Sequence, residues 1–254
     1  QQSQKNSNVS SIFESPVKMS NYLKANCDYW SQAVYDNPNP ESYVFRIYGR
    51  VLQHQFGLPG DRSPKLLDFG CGSGGSLRFF DDRGFDVYGV DQSRIDIERS
   101  QKRIPHKASQ IKVVSPISRE DDRWFGETKF QVITAFQTLY YLDDIDLQRR
   151  LSSLYSMLED GGIFIATMMH VSCWYYDMSE PSTNGLRLVR FWREQDKGRP
   201  NLESNDHFIN FTENEKDLIK IFSLFKPLHT SGYYDGVYRD DQGSEKHLVF
   251  IGQK

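Results

Sequence analysis

Apolar residues recur along this chain with two alternating periods. Segments 65–69, 85–91, 110–115, 130–136 and 162–169 are short apolar runs, the pattern of strands buried on both faces. Between them the spacing lengthens to that of amphipathic helices. One is predicted over 76–84, closed by Gly84, and one from Ser93 to about Ile104. A third begins at Asp143, with Leu147, Leu151, Leu154 and Leu158 on one stripe and acids in its first turn. Strand–helix alternation at this length predicts a mostly parallel sheet with helices on both faces. A helix over 212–225 follows, with Thr212 and Glu215 as a capping box and Leu218, Ile221, Phe222 and Phe225 inward. Two strand-like segments, 228–238 and 247–251, bring the predicted strands to seven.

Flanking stretches break this rhythm. Residues 1–16 are Gln, Asn, Ser and Lys with little to bury, and read as a flexible leader. Residues 17–60 are expected to form an N-terminal helical cap, broken at Asn37-Pro38-Asn39-Pro40, with Val44, Ile47, Tyr48, Val51 and Leu52 on one face of its second helix. The remainder, 61–254, reads as one domain, and its aromatic, charged segment 171–211 as a lid inserted after the fifth strand.

Composition narrows the function classes. The net charge of −3 argues against a chain that coats nucleic acid. Cys27, Cys71 and Cys173 are too few and too scattered for a disulfide framework, as expected of reduced thiols in the cytoplasm. No apolar run reaches the length of a membrane span and no segment reads as a signal peptide, so no membrane partner is expected. The six histidines show no ligand spacing and there is no Cys-x-x-Cys, so no metal is expected.

The chemistry concentrates at "LLDFGCGSGG", residues 66–75. Gly70, Gly72 and Gly75 satisfy G-x-G-x-x-G, which suits a dinucleotide, while Gly70, Gly72 and Gly74 satisfy G-x-G-x-G. Asp91, at the tip of the second strand, could accept hydrogen bonds from ribose hydroxyls of either ligand, or cap the Ser93 helix. Asp68 separates the cases. A carboxylate two residues before the first glycine repels a pyrophosphate, yet suits a positively charged amino-acid moiety.

With "VYGVDQS", "FQVITAFQTLYYLDD" and "LEDGGIFIAT" in order behind it, this loop resembles that of the class I S-adenosylmethionine-dependent methyltransferases. The resemblance is strong over about 65–170 and implies a doubly wound, Rossmann-like fold. It also implies S-adenosylmethionine as cofactor and S-adenosylhomocysteine as product. It would place Gly70, Cys71 and Gly72 against the methionine and ribose, Asp91 on the ribose hydroxyls, Gln92 beside the adenine and Phe136 near the methionine amino group. Ile117 would pack on the adenine, where many relatives carry an acid. Asp68 and Gly74 complete the expected cofactor set, with Arg46 as a candidate partner for the cofactor carboxylate. "Ala-Phe-Gln-Thr" at the fourth strand end departs from the Asp/Asn-Pro-Pro-Tyr/Phe of enzymes that methylate nucleobase amines.

An oxygen or nitrogen acceptor can require a base. His170, ending the fifth strand, and Tyr141, after the fourth, are the candidate catalytic residues. Tyr140, Trp174, Arg187 and Arg193 are the candidate substrate contacts. The basic, aromatic stretch 186–199 suits a small acceptor carrying carboxylate or phosphate. Two other classes stay open on sequence: an NAD(P)-dependent oxidoreductase, and a non-catalytic module that binds S-adenosylmethionine.

Overall fold

The computed structural model describes residues 20–31, 36–117, 122–190, 206–234 and 246–254. The leader and Arg193 lie outside them. Five strands, β1 Lys65–Phe69, β2 Asp86–Asp91, β3 Ile111–Val113, β4 Phe130–Ala135 and β5 Leu158–His170, run parallel in the order β3-β2-β1-β4-β5. Three strands of the inserted segment, β6 Ser179–Pro181, β7 Leu186–Arg190 and β8 Asp206–Thr212, form an antiparallel ribbon. β8 joins β5 in parallel only at its C-terminal tip, through Met169↔Phe211 and His170↔Thr212. β9 Lys226–Tyr234 and β10 Lys246–Gln253 complete the sheet, β10 antiparallel to both β5 and β9. The sheet therefore has ten strands rather than seven. The three added ones come from the insertion, whose ribbon takes over the edge of β5 beyond the point where β4 stops.

Seven α-helices accompany the strands among the described residues: α1 Asn21–Ser31, α2 Ser42–Ile47, α3 Gly75–Asp81, α4 Arg94–Arg103, α5 Asp144–Met157, α6 Trp174–Asp177 and α7 Glu215–Ile221. α2 runs on as a π-helical turn over Tyr48–Gln53. Alternate strand residues serve two cores. Leu67, Ile133, Phe164 and Phe250 pack with Leu151 and Leu154 of α5, Leu218 of α7 and Leu23 of α1. Leu66, Val132, Ile165 and Val249 pack with Val44 and Ile47 of α2, Leu77 and Phe80 of α3 and Ile97 of α4. Burial on both faces explains why these strands read as continuous apolar runs instead of alternating ones.

Two boundaries differ from expectation. β5 begins at Leu158 directly after α5, because the turn at Gly161 (φ +78°) lets the chain pair with its own C-terminus, Gly161 N–H donating to Lys254 O at 3.1 Å. The capping box at Thr212 and Glu215 does not form. Thr212 is consumed by the pairing of β8 with His170, so α7 starts later, capped by Asn214, whose Oδ1 accepts from the backbone of Lys216 and Asp217. Glu215 instead accepts from Thr230 Oγ1 at 2.8 Å.

Asn26 is one of the buried side chains that fasten α1 to the sheet. Asn26 donates to the carbonyls of Tyr141 (2.9 Å) and Phe208 (3.0 Å) and accepts from Phe208 N–H (2.8 Å). Asn26→Ala leaves those buried groups without their partners, a loss of about 1–3 kcal/mol. Urea unfolding of the variant should show it; a stability within a few tenths of the wild type would mean that α1 is held by other contacts.

Candidate functional site

The turn after β1 is built to pass through a narrow space. Gly70 N–H donates to Val90 O at 2.8 Å and Cys71 N–H to the same carbonyl at 3.1 Å, so the chain leaves β1 hugging β2. Gly70, Gly72 and Gly74 take φ of +79°, +51° and +88°, a region that side chains disfavour. Their bareness serves different ends. A Cβ on Gly70 would strike the Thr138 side chain, and one on Gly74 the Ser100 side chain. A Cβ on Gly72 would meet nothing within 4 Å. Two of these glycines are bare for packing; Gly72 is bare toward open space.

That space is a cavity of about 720 Å³ at the C-terminal ends of the parallel strands. Asp68, Gly70, Cys71, Gly72 and Asp91 line it, as do Gln92, Phe136, Tyr140 and Tyr141. Asp91 ties the turn to the following helix: Oδ2 accepts from Gly72 N–H at 2.9 Å and Oδ1 from Ser93 N–H at 2.8 Å. Burial raises its pKa, opposed by those two hydrogen bonds. Asp68 is 2% exposed. Burial pushes its carboxyl up to about 7, against the pull of Thr134 Oγ1, which donates to it at 2.7 Å.

Other expected residues are not brought to the cavity. Arg46 is exposed on α2, where only its neighbour Tyr43 reaches the lining. Gly74 faces Ser100, and Ile117 packs into the core while Pro116 lines the cavity in its place. His170 sits beside the ribbon with Nδ1 accepting from Ser172 N–H at 2.9 Å, and burial together with Lys246 lowers its pKa. Trp174 packs on Tyr175, which does line the cavity. Arg187 donates from Nε to Ser179 Oγ at 2.6 Å and lies 4.2 Å over the Tyr176 ring. Both are interactions internal to the inserted segment.

Several lining residues carry no linear motif. α1 supplies Cys27, Tyr29 and Trp30, and Cys27 Sγ donates to Gln92 Oε1 at 2.7 Å. Residues 36–41 lie across the glycine turn: Asn37 N–H donates to Ser73 Oγ at 3.1 Å, and Arg103 bridges Asp36 and Ser73 O. The Asn-Pro-Asn-Pro break between two helices was the only sequence trace of this strap. His207 of β8 and His247 of β10 also face the cavity, each visible only through strand pairing. Arg150 supports the site from behind. Fully buried, it pairs with Asp122 at 2.7 Å and donates to the carbonyls of Ser115 and Pro116, fixing the loop whose Pro116 lines the cavity.

The lining carries five carboxylates, Asp36, Glu41, Asp68, Asp91 and Asp96, and no Lys or Arg among the described residues. Burial raises the Tyr140 and Tyr141 phenols well above the ordinary tyrosine range. No group of acids, histidines and cysteines among the described residues could hold a metal ion, and no described helix is long and apolar enough to cross a membrane.

A family model described as a methyltransferase domain matches residues 41–215. The chain is 27% identical over 122 residues to an mRNA cap guanine-N(7) methyltransferase of Caenorhabditis elegans, covering 43% of this chain and 32% of that protein. It spans between a third and about half of the length of the curated relatives it matches. Among solved structures, the PH0226 protein of Pyrococcus horikoshii superposes with a TM-score of 0.58 at 15% identity, over 89% of this chain and 98% of that one. A glycopeptide N-methyltransferase, MtfA, solved with S-adenosylmethionine, gives 0.55 at 14% identity, over 87% and 96%. The two structures share the fold.

The raised carboxyl of Asp68 has a measurable consequence. Its folded pKa, about 7, lies above the ordinary 3.8, so the folded state holds the proton more tightly than the unfolded one. Its contribution to stability is complete below pH 4 and is lost as pH rises through about 7. Asp68→Asn removes that dependence. Urea midpoints across pH 4–8 should fall more for the wild type than for the variant; parallel curves would mean that Asp68 titrates normally.

Proposed function

The chain belongs to the class I S-adenosylmethionine-dependent methyltransferases, and from that premise we propose that it methylates a nitrogen or oxygen atom of a small molecule held in the same cavity. The observation that carries this reading is Gly72: a bare backbone position with φ of +51° facing open space in a cavity that the buried Asp68 and the half-buried Asp91 also line. These residues fit the cofactor. Gly72 and Asp91 would hold the ribose, with Gln92, Val114 and Pro116 beside the adenine, and Asp68 would face the methionine ammonium. Bound S-adenosylmethionine supplies a methyl group already activated on sulfur. The protein's part is alignment and exclusion of water, which in favourable intramolecular cases is worth about 7–11 kcal/mol.

The inserted segment contributes Tyr175 and His207 to the lining, and we assign it to the acceptor side. A cavity of about 720 Å³ has room for a cofactor and part of a small partner. A net charge of −3 and a lining without described cations favour a small molecule over a nucleic acid. The reduced thiols of Cys27, Cys71 and Cys173 suit the cytoplasm. His170, turned to Ser172, has no part in the proposed chemistry.

Calorimetric titration with S-adenosylhomocysteine and with NAD tests the assignment. The homocysteine product should bind and NAD should not; the reverse would replace methyl transfer by redox chemistry. Asp91→Ala should weaken the product's binding by about 1–3 kcal/mol, the loss of a charged acceptor. An unchanged dissociation constant would confine Asp91 to tying Gly72 to Ser93.

A further inference from the structure

One wall of the cavity is aromatic and comes from four separate elements. α1 supplies Tyr29 and Trp30, the segment after β4 supplies Tyr141, α6 supplies Tyr175 and β8 supplies His207. Trp30 meets Tyr29 edge to face at 5.2 Å and Tyr141 at 5.4 Å, and Tyr29 lies 4.3 Å from the His207 ring. Residues distant in the chain thus converge on one aromatic stretch of the cavity that Gly72 also lines. Among the described residues Glu41 and Asp68 contribute carboxylates to the same cavity and no Lys or Arg lines it, while the carboxylate of Asp36 is already paired with Arg103 at 2.9 Å. Arg187, which would have met an anion, is occupied by Ser179 and Tyr176. The Tyr141 phenol stays neutral, so its ring is not a negative charge but a polarised face.

Ring faces attract cations through their quadrupoles, and more strongly where water is excluded. Carboxylates along the same lining reinforce that preference and repel an anionic partner. We propose that this aromatic wall is the acceptor subsite and that its acceptor is an amine. The inference rests on the methyltransferase reading above. In the transfer, the ammonium drawn in by the lining first gives a proton to water. The lone pair of the resulting amine forms the new N–C bond as the C–S bond breaks, and that bond's electron pair goes to sulfur. The positive charge passes from sulfur to nitrogen, and the nitrogen then gives one proton to water. The rings of Tyr29, Trp30 and Tyr141 stabilise the charge where it arrives. Once neutral, an amine attacks through its own lone pair, so the attacking step needs no phenolate from Tyr140 or Tyr141, whose phenols burial keeps protonated.

The test uses isosteric probes on the full chain saturated with S-adenosylhomocysteine. Choline, its neutral carbon isostere 3,3-dimethylbutanol and the anion 3,3-dimethylbutyrate are titrated calorimetrically. Choline should bind at least about tenfold tighter than the alcohol, and the carboxylate weakest. Trp30→Leu should bring choline and the alcohol together while leaving S-adenosylhomocysteine affinity unchanged. Should that variant fail to fold, Tyr141 gives a second arm: Tyr141→Phe keeps the preference and Tyr141→Leu loses it. Equal binding of choline and the alcohol, tighter binding of the carboxylate, or binding of none of the three would overturn the amine assignment with the methyltransferase reading intact. Failure of S-adenosylhomocysteine itself to bind would instead remove the methyltransferase reading on which the inference rests.

Discussion

The chain leaving β1 must turn, within six residues, through a gap bounded by Thr138, Ser100 and the backbone of Asn37 and Asn39. No side chain fits against any of those neighbours, so Gly70, Gly74 and Gly75 are dictated by packing density. Because the turn is packed on three sides, its fourth side is left bare at Gly72. Asp91 locks the arrangement by accepting from Gly72 and Ser93 together, making the end of β2, the turn and the start of α4 one rigid unit. The cavity follows from this unit.

What closes the cavity comes from elsewhere in the chain. The strap over 36–41 is held to Ser73 by hydrogen bonds and by Arg103. α1 is anchored by Asn26 to the segment after β4 and to β8, so the helix that brings Tyr29 and Trp30 to the lining is fixed to the ribbon that brings His207. Binding walls and fold are therefore not separable here: the same buried amide ties α1 to the two segments that complete the aromatic wall. Burial acts on the electrostatics too, raising Asp68 and keeping Tyr141 protonated. Among the described residues the lining thus combines acids with neutral rings and has no Lys or Arg.

The parallel core was legible in the sequence because strands covered on both faces leave unbroken apolar runs, and because Gly84, Ser93 and the leucine stripe of α5 punctuate the helices between them. The glycine turn with Asp68 and Asp91 was legible for the same local reason. The capping box at Thr212 misled, since strand pairing with His170 claimed that residue first. Arg46 lies on the exposed side of α2, opposite the apolar stripe of Val44, Ile47, Val51 and Leu52, so the helical periodicity already turned it away from the cavity. Tyr29, Trp30, His207 and His247 meet only through tertiary contacts, so their assembly left no linear motif. His170 lay at the expected strand end, but the direction of its ring was set by Ser172.

The account turns on a division of labour among the glycines, and paired substitutions separate its halves. Gly72→Ala and Gly70→Ala are compared for unfolding midpoint in urea and for S-adenosylhomocysteine affinity by calorimetry. Gly72→Ala should remain folded with a modest cost for its φ of +51° and lose at least about tenfold in affinity, because its Cβ enters only the open space assigned to the cofactor. Gly70→Ala should lose stability first, by about 1–3 kcal/mol, because its Cβ strikes Thr138. Undiminished affinity in a folded Gly72→Ala protein would contradict the claim that the open side of the turn is where the cofactor lies.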